Sequence, residues 1–562
     1  MRTHALLLTT SVVALAACSA CSSKESATGG SAGAYGGTFI YAQIGDVSDA
    51  FPPYIEDQNG RMVADLVFDR LAQINATLGT VGDKAFDPRL AKSWDWAKDS
   101  MSIAFHLDPR ARWHDGKPVT ASDVKYSFKV HSDPKAGAVT VPLLTNIDSV
   151  QVRDSATAVV WYKKHTPTEF YDFVYQIMIL PEHVYGSIPL EQLHTSPQTK
   201  QLVGSGRFRL AKWQPGVRMD LVADTANYRG RPKLDRIVIT PIADANAGMA
   251  QVLTGQSDFM QAFPVDQSDK LDSSKVARRI DFPTIGYAWL GFNLFPPKAK
   301  SGTNTFFGDV RVRRALSMAV DRKAMLNNVF GPSATNIGYG PFPAAVAYAD
   351  SNLKLPPFDA AAASALLDSA GWRMGPNGLR VKNGVPLKFT ILSTTTSLFR
   401  RRYSVLLQDA LKRIGAQADI DAVDAGTFIS RLNGGDFDAV LGTFNPDPDV
   451  GGALQSWGTK SIGSSNWMHY SNRTVDALLD SASASFDPAK SKSYSSRAFQ
   501  QIADDAPAIW LYDVTLINGM NRRIEPARPI SPIGWWLNLS DWSIPADKRI
   551  DRDRIGLSQP NP

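Results

Sequence analysis

Both cysteines of this 562-residue chain, Cys18 and Cys21, fall within its first 21 positions, so everything beyond them must fold with no disulfide and no thiolate metal site. Stability has to come from burial. A body this long can bury enough apolar surface for that, but it exceeds what one hydrophobic core supports, and at least two lobes are expected. Hydrophobic residues at 44% and charged residues at 20% are ordinary for a globular protein, and a formal charge of +6, spread along the chain among interleaved acids, gives no footprint for nucleic acid.

Ahead of those cysteines, Arg2 is followed by an apolar run, Ala5 to Ala17, that closes on Leu15, Ala16, Ala17 and Cys18. The run is well short of the ~20 apolar residues a membrane-spanning helix needs, while its basic start and small residues before Cys18 fit a cleaved bacterial lipoprotein signal. On this reading residues 1–17 are removed and Cys18 carries the lipid. The body then lies outside the cytoplasm, anchored to a membrane, on the periplasmic side if the cell is Gram-negative. Cys21 fits less well, because Cys18 and not an aliphatic residue stands three positions before it. Residues 18–37, rich in Ser, Gly and Ala, read as a flexible tether, with the folded part starting near Thr38.

From Thr38 to Ile44 the pattern predicts a strand, and Met101, Ile103, Phe105 and Leu107 alternate with polar or small residues in another, leaving His106 on its polar face. Thr120 and Asp123 have capping-box spacing ahead of a helix through Val124 and Phe128. Ser149 to Val152, Ala158 to Tyr162 and Arg236 to Ile242 read as further strands. Beyond about Leu294 helices dominate. One is capped by Asp309, and another runs from Asp359 to Ala370 and is closed by Gly371. A strand at Leu387 to Leu392, a helix from about Ser397 to Ile414 and a strand at Ala418 to Val423 make a βαβ unit, which places an α/β lobe inside a more strand-rich one. The chain is expected to return to the first lobe near Ile509 to Leu516.

Several segments resemble one family in one order: "LAKSW" at Leu90 to Trp94, "WHDGKPVTASDVKYSF" at Trp113 to Phe128, "LPEHVYG" at Leu180 to Gly186 and "LVGSGRFRLAKWQPG" at Leu202 to Gly216. They continue with "NYRGRPKLDRIVI" at Asn227 to Ile239, "WLGFNLF" at Trp289 to Phe295, "DVRVRRALSMAVDRKAM" at Asp309 to Met325 and "WMHYSNRTVDALLDSA" at Trp467 to Ala482. The chain is similar to the extracytoplasmic solute-binding proteins, family 5, of the oligopeptide, dipeptide and nickel ABC importers. The resemblance implies an α/β, two-lobed periplasmic-binding-protein-like fold of type II, with an extra subdomain and lobes joined by two hinge crossings. Lobe 1 would comprise residues 38–290 and 510–562, including a subdomain at about 63–197, and lobe 2 residues 291–509. It further implies a monomer that captures a short peptide or peptide-like solute and delivers it to a permease and ATPase complex, with no cofactor.

In peptide binders of that family an acidic residue pairs the ligand's free amine, commonly about three positions before an Asp-Pro pair. Here Asp447 and Pro448 are the pair, but Phe444 stands at that position with neutral Asn445 beside it, which leaves Asp447 or Asp449 to take the role or simply to form the turn with Pro446 and Pro448. Other candidate ligand contacts are Asp57, Gln58 and Asn59 after the first strand, Tyr287 and Trp289 at a lobe crossing, and Trp457 and Trp467 in the second lobe. Aromatic walls with a few polar groups suit an enclosed pocket, although each ring has a place in the core as its plainer explanation. Arg400, Arg401 and Arg402 stand before a helix where they could meet a carboxylate or form a solvated face.

Rival classes have weaker support. The only G-x-S-x-G, at Gly29, Ser31 and Gly33, lies in the tether, where no strand and helix can form a nucleophile elbow, and H-E-x-x-H does not occur. No enzymatic role is expected. The 8 His are scattered without metal-ligand spacing, so no metal site is expected, with His469 beside Trp467 the one worth following. The alternatives kept open are an opine, an oligosaccharide or a nickel chelate as ligand, and a sensor or chaperone role for the same fold.

Overall fold

The computed structural model describes residues 35–331, 337–338, 340–395 and 397–553. The expected signal, Cys18, most of the tether and the Gly29–Gly33 pattern lie outside them. Gly36 is already held, its N–H donating to the Lys233 carbonyl, and the first strand is Thr38–Ile44.

Ten strands form one continuous sheet. Its order runs Gln417–Val423, Lys388–Thr394, Ala439–Phe444, Ala277–Phe292, Ala508–Asn521, Phe259–Met260, Thr38–Ile44, Arg236–Ile242, Arg218–Ala223 and Phe208–Gln214. The two long central strands, Ala277–Phe292 and Ala508–Asn521, are antiparallel partners that pass through both lobes. At one end Met520 and Gly519 pair with Phe259 and Met260 of the first lobe; at the other Tyr287 to Phe292 pair with Phe444 to Ala439 of the second. Between the two halves the ladder breaks. Pro283 still faces Thr515 and Tyr287 faces Asp513, so Thr284, Ile285 and Gly286 stand opposite the single residue Val514. This irregularity is a bulge, which bends and twists a strand pair. The Thr284 hydroxyl closes it, donating to the Val514 carbonyl at 2.6 Å.

The βαβ unit of the second lobe forms as the sequence predicts: Lys388–Thr394 lies parallel to Gln417–Val423, with the helix Leu398–Arg413 between them. Asp309 and Asp359 each cap a helix, accepting from the N–H groups of Arg311 and Ala362. In the first lobe the capping box closes, the Thr120 N–H donating to Asp123 at 2.8 Å. A second sheet, in the order Ala91–Trp96, Ser102–Leu107, Thr157–Tyr162 and Ile147–Asp154, has its own core of Phe105, Trp113, Val160, Phe170 and Phe173. His106 sits on this sheet's polar side, 2.8 Å from Asp95, a structural pairing.

One ion-pair group ties distant segments of the first lobe. The Arg523 guanidinium, almost fully buried, meets Asp258 at 2.7 Å and Asp553 at 2.5 Å and donates to the Thr38 carbonyl, while Asp553 accepts from the Thr38 N–H. A buried guanidinium needs this complete set of acceptors.

Candidate ligand-binding cleft

The strand Ala439–Phe444 ends at the cleft between the lobes, and the loop after it, Asn445 to Asp449, contains two prolines that fix its course. Asp449 caps the helix Val450–Trp457, accepting from the Gly452 N–H, so turn formation is part of its role. That bond occupies one of its oxygens. Burial raises the carboxyl of Asp449 to about 6, with the neighbouring Asp447 adding to the rise. Burial also raises Asp447, against a smaller opposing pull from Arg61 of the first lobe.

A third carboxylate arrives from the subdomain. Asp172, on the helix Glu169–Gln176, is raised to about 7, first by burial and then by Asp449 and Asp447 across the cleft. The adjacent Tyr171 is fully buried; its hydroxyl has no hydrogen-bond partner among the described residues and lies within Coulombic range of Asp447, Asp449 and Asp172. The lobes touch nearby, where the rings of His165 and Phe486 stack at 4.1 Å.

Asp57 and Gln58 line a cavity of about 270 Å³ together with Arg61, Asp65, Arg70 and Tyr175. Asp57 also caps the helix Gln58–Val67, accepting from the Gly60 N–H at 2.7 Å. Asn59 is used otherwise, donating to the Ile44 and Asp46 carbonyls. On the floor of the cavity Asp65 binds Arg70 at 2.6 Å, Arg61 at 3.5 Å and the Trp536 indole N–H at 2.8 Å. Both guanidinium groups lie over the Tyr175 ring.

Further along the second lobe a cavity of about 230 Å³ is lined by Thr394, Arg400, Thr443 and Tyr512. Arg400 donates to the Thr443 hydroxyl at 2.8 Å and lies over the Phe428 ring. Burial lowers its pKa, and no carboxylate forms an ion pair with it among the described residues. Its neighbour Arg401 is exposed, as a solvated face would be.

The aromatic candidates divide. Tyr287, Trp289 and Trp457 do not wall the cleft; all three are fully buried in one core cluster, where Trp457 donates its indole N–H to the Pro341 carbonyl. Glycines at 291 and 442 make room for Trp289, since a Cβ at either would strike its ring. Phe444 and Trp467 form the half-buried rim of that cluster, their rings edge to face at 5.9 Å. Asn445 is exposed, with its side-chain oxygen against Gly286. His469 stacks on Phe295 at 4.6 Å and meets the Asn293 side chain at 2.8 Å, a structural use. No group of three or more His, Cys, Asp or Glu with metal-binding geometry occurs among the described residues.

Sequence reasoning missed Asp172, Tyr171 and Arg61. Asp172 lies in an ordinary amphipathic helix and Arg61 on another, with no local signal that separates either from a solvated charge.

Two lobes on a shared pair of strands, with polar groups converging in the cleft, define a binding protein of the periplasmic type. Residues 85–465 match the family described as bacterial extracellular solute-binding proteins, family 5, and the chain belongs to that family. It is 25% identical to the oligopeptide-binding protein AppA of Bacillus subtilis over 89% of this chain and 92% of that protein. An ABC transporter peptide-binding protein of Brucella ovis is 29% identical, over 71% of this chain and 74% of its own. In structure it is similar to AppA of Bacillus subtilis in complex with a nonapeptide, with a TM-score of 0.71 at 22% identity over 91% of this chain and 99% of that one. NikZ of Campylobacter jejuni in complex with Ni(L-His) gives a TM-score of 0.71 at 24% identity over 90% of this chain and 99% of that one. The relatives named here are binding proteins. Among the described residues no helix is long and apolar enough to cross a membrane.

Proposed function

We propose that the protein is the substrate-binding component of an ABC importer that captures short peptides or peptide-like solutes between its lobes, acting as a monomer and not as an enzyme. The observation that carries this reading is the polarity of the cleft in the second lobe. Arg400, a guanidinium with no carboxylate partner among the described residues, is bonded to Thr443 near the end of the strand, and two carboxylates, Asp447 and Asp449, follow a few residues later on the loop after it. A zwitterionic ligand fits that polarity. Its free amine meets Asp447 and Asp449, and its carboxylate meets Arg400, each charge removed from water with a partner. Thr443 and Asp447 are four residues apart, so at most about 14 Å of chain separates them, the span of a peptide of about two to four residues.

Cys18 is the proposed lipid attachment point, so that the body works outside the cytoplasm beside its permease. A Cys18→Ser variant released from the membrane fraction would support the anchor; retention there would count against it.

The test of the ligand is native mass spectrometry of the purified protein. Co-purified short peptides, or binding of a tripeptide library that depends on a free amine and a free carboxylate, support the reading. A single non-peptide mass, such as an opine, an oligosaccharide or a metal chelate, overturns the peptide assignment.

A further inference from the structure

The cavity beside Arg400 lies at the carboxyl ends of two parallel strands, Lys388–Thr394 and Ala439–Phe444, and at the first turn of the 16-residue helix Leu398–Arg413. Between those strands the order of the second lobe's sheet reverses. The chain leaves Lys388–Thr394 for Gln417–Val423 on one side, then crosses back to Ala439–Phe444 on the other. Open α/β sheets leave a ligand crevice at such a point, and a helix N-terminus favours an anion in it.

The lining is chemically one-sided. Apart from Arg400 no charged side chain lines the cavity among the described residues, and Phe330, Phe399 and Val514 give it an apolar wall. Tyr512 is an independent mark of a guest. It is only 5% exposed, and its ring is fixed against Tyr403 at 4.8 Å and Phe330 at 5.0 Å. Its hydroxyl lies within Coulombic range of the Arg400 guanidinium and has no hydrogen-bond partner among the described residues. A buried hydroxyl left unbonded is costly, and an acceptor on a ligand relieves that cost. At about 230 Å³ the cavity is smaller than the about 300–1,000 Å³ that encloses a whole small molecule, so it takes one end of the ligand.

We propose that this cavity receives the complete last residue of the ligand: the carboxylate is shared by Arg400 and the Tyr512 hydroxyl, and an apolar side chain of the size of Leu or Phe packs on Phe330, Phe399 and Val514. The inference rests on the peptide reading and narrows it to peptides with such a residue at the carboxyl end. A basic side chain there would place a second cation beside Arg400 with no acid to pair it. An acidic one would set two carboxylates against one guanidinium, and either case leaves a charge uncompensated out of water. Ala would leave the apolar wall without contacts.

Isothermal titration calorimetry of the full-length protein in detergent tests this with Ala-Ala-Leu, Ala-Ala-Ala, Ala-Ala-Lys and the carboxylate 4-methylpentanoate. Ala-Ala-Leu is expected to bind about tenfold more tightly than Ala-Ala-Ala, with Ala-Ala-Lys the weakest of the three. Phe399→Ala is expected to bring the first two peptides close to equal. Tyr512→Phe keeps the ring and should weaken both by a common factor of about ten, leaving their ratio and the binding of C-terminally amidated Ala-Ala-Leu unchanged. Equal affinity for the three peptides, or Ala-Ala-Lys the tightest, overturns the pocket and leaves the peptide reading standing. If no peptide binds while 4-methylpentanoate does, with a loss in Tyr512→Phe, the pocket stands and the peptide reading falls. If nothing binds, the pocket is overturned.

Discussion

The ring of Phe486, on the loop between two helices of the second lobe, stacks on His165 of the subdomain with centroids 4.1 Å apart and planes inclined by 29°. Phe486 is otherwise exposed, so this contact rather than core packing is its use. It joins the subdomain to the second lobe and exists only when the two are together. Phe486→Ala is expected to leave thermal stability unchanged and to weaken ligand binding about two- to tenfold, the range of an aromatic pair. Small-angle scattering of the ligand-free variant should show a more open average shape; an unchanged profile and affinity would remove the contact from the closure mechanism.

The raised carboxyls of the cleft make affinity for a ligand with a free amine depend on pH. Asp172 and Asp449 are raised to about 7 and about 6, chiefly by burial, and Asp447 is raised as well; Arg61, Glu169 and Tyr171 are the other titratable groups facing them. Raised carboxyls take up protons as pH falls through these values, and a protonated carboxyl no longer attracts an ammonium group. Affinity for a tripeptide with a free amine is therefore expected to fall between pH 8 and about 5.5. Stability of the empty protein should move the other way. A carboxyl raised above its unfolded value stabilises at low pH, and that contribution is lost as pH rises through about 7. The melting temperature of Asp172→Asn minus that of the parent should thus grow from pH 5 to 8, and a difference that is flat with pH would refute the assignment.

Arg400 is predicted to read the ligand's other end. Arg400→Met should lower tripeptide affinity about tenfold to a hundredfold while leaving binding of the C-terminally amidated peptide nearly unchanged. Equal losses for both peptides would point to a packing role against Phe428 instead.

A Cβ at Gly286 would meet the side-chain oxygen of Asn445, the free end of an exposed side chain that can turn aside, and would crowd Val514 less closely. Gly286→Ala is therefore expected to cost less than about 1 kcal/mol in denaturant unfolding. A larger loss, returned by Asn445→Ala in the same molecule, would show that the Asn445 side chain is fixed in place.

Removing Asp258 takes from the buried Arg523 one of its two carboxylates and from Arg552 the carboxylate it pairs with. Asp258→Ala should lose about 3–5 kcal/mol, far more than an exposed pair such as Lys548 and Glu525 would. Thermal unfolding of the two variants side by side checks the contrast.

What the sequence makes legible is local. Thr120 and Asp123, or Asp309 and Asp359, announce their helices because a cap needs only residues within one turn. The βαβ unit is equally visible, since its hydrophobic period changes within a short window. The cleft is another matter. Asp172 feels the charge of Asp449 only because two lobes lie together, and nothing near either residue records that. Trp289 and Trp457 look in sequence like a ligand wall, yet the glycines that clear space for Trp289, at 291 and 442, are far apart in the chain and lie on adjacent strands. The substitution of Phe444 at the family's acidic position was readable; that Asp172 supplies a further carboxylate was not.

The central strands also set an order of events. Ala508–Asn521 lies between Ala277–Phe292 and Phe259–Met260, and the Thr38 N–H is satisfied by Asp553, 515 residues away. A chain emerging from its N-terminus can assemble the subdomain's own four-stranded sheet early, but the first lobe keeps an open sheet edge and an unpaired Asp258 until residues 508–553 arrive. Such long-range closure is slow, and a waiting edge is a template for wrong pairing. Both lobes therefore stay half-built until that late strand arrives, because Ala508 to Tyr512 also complete the core of the second.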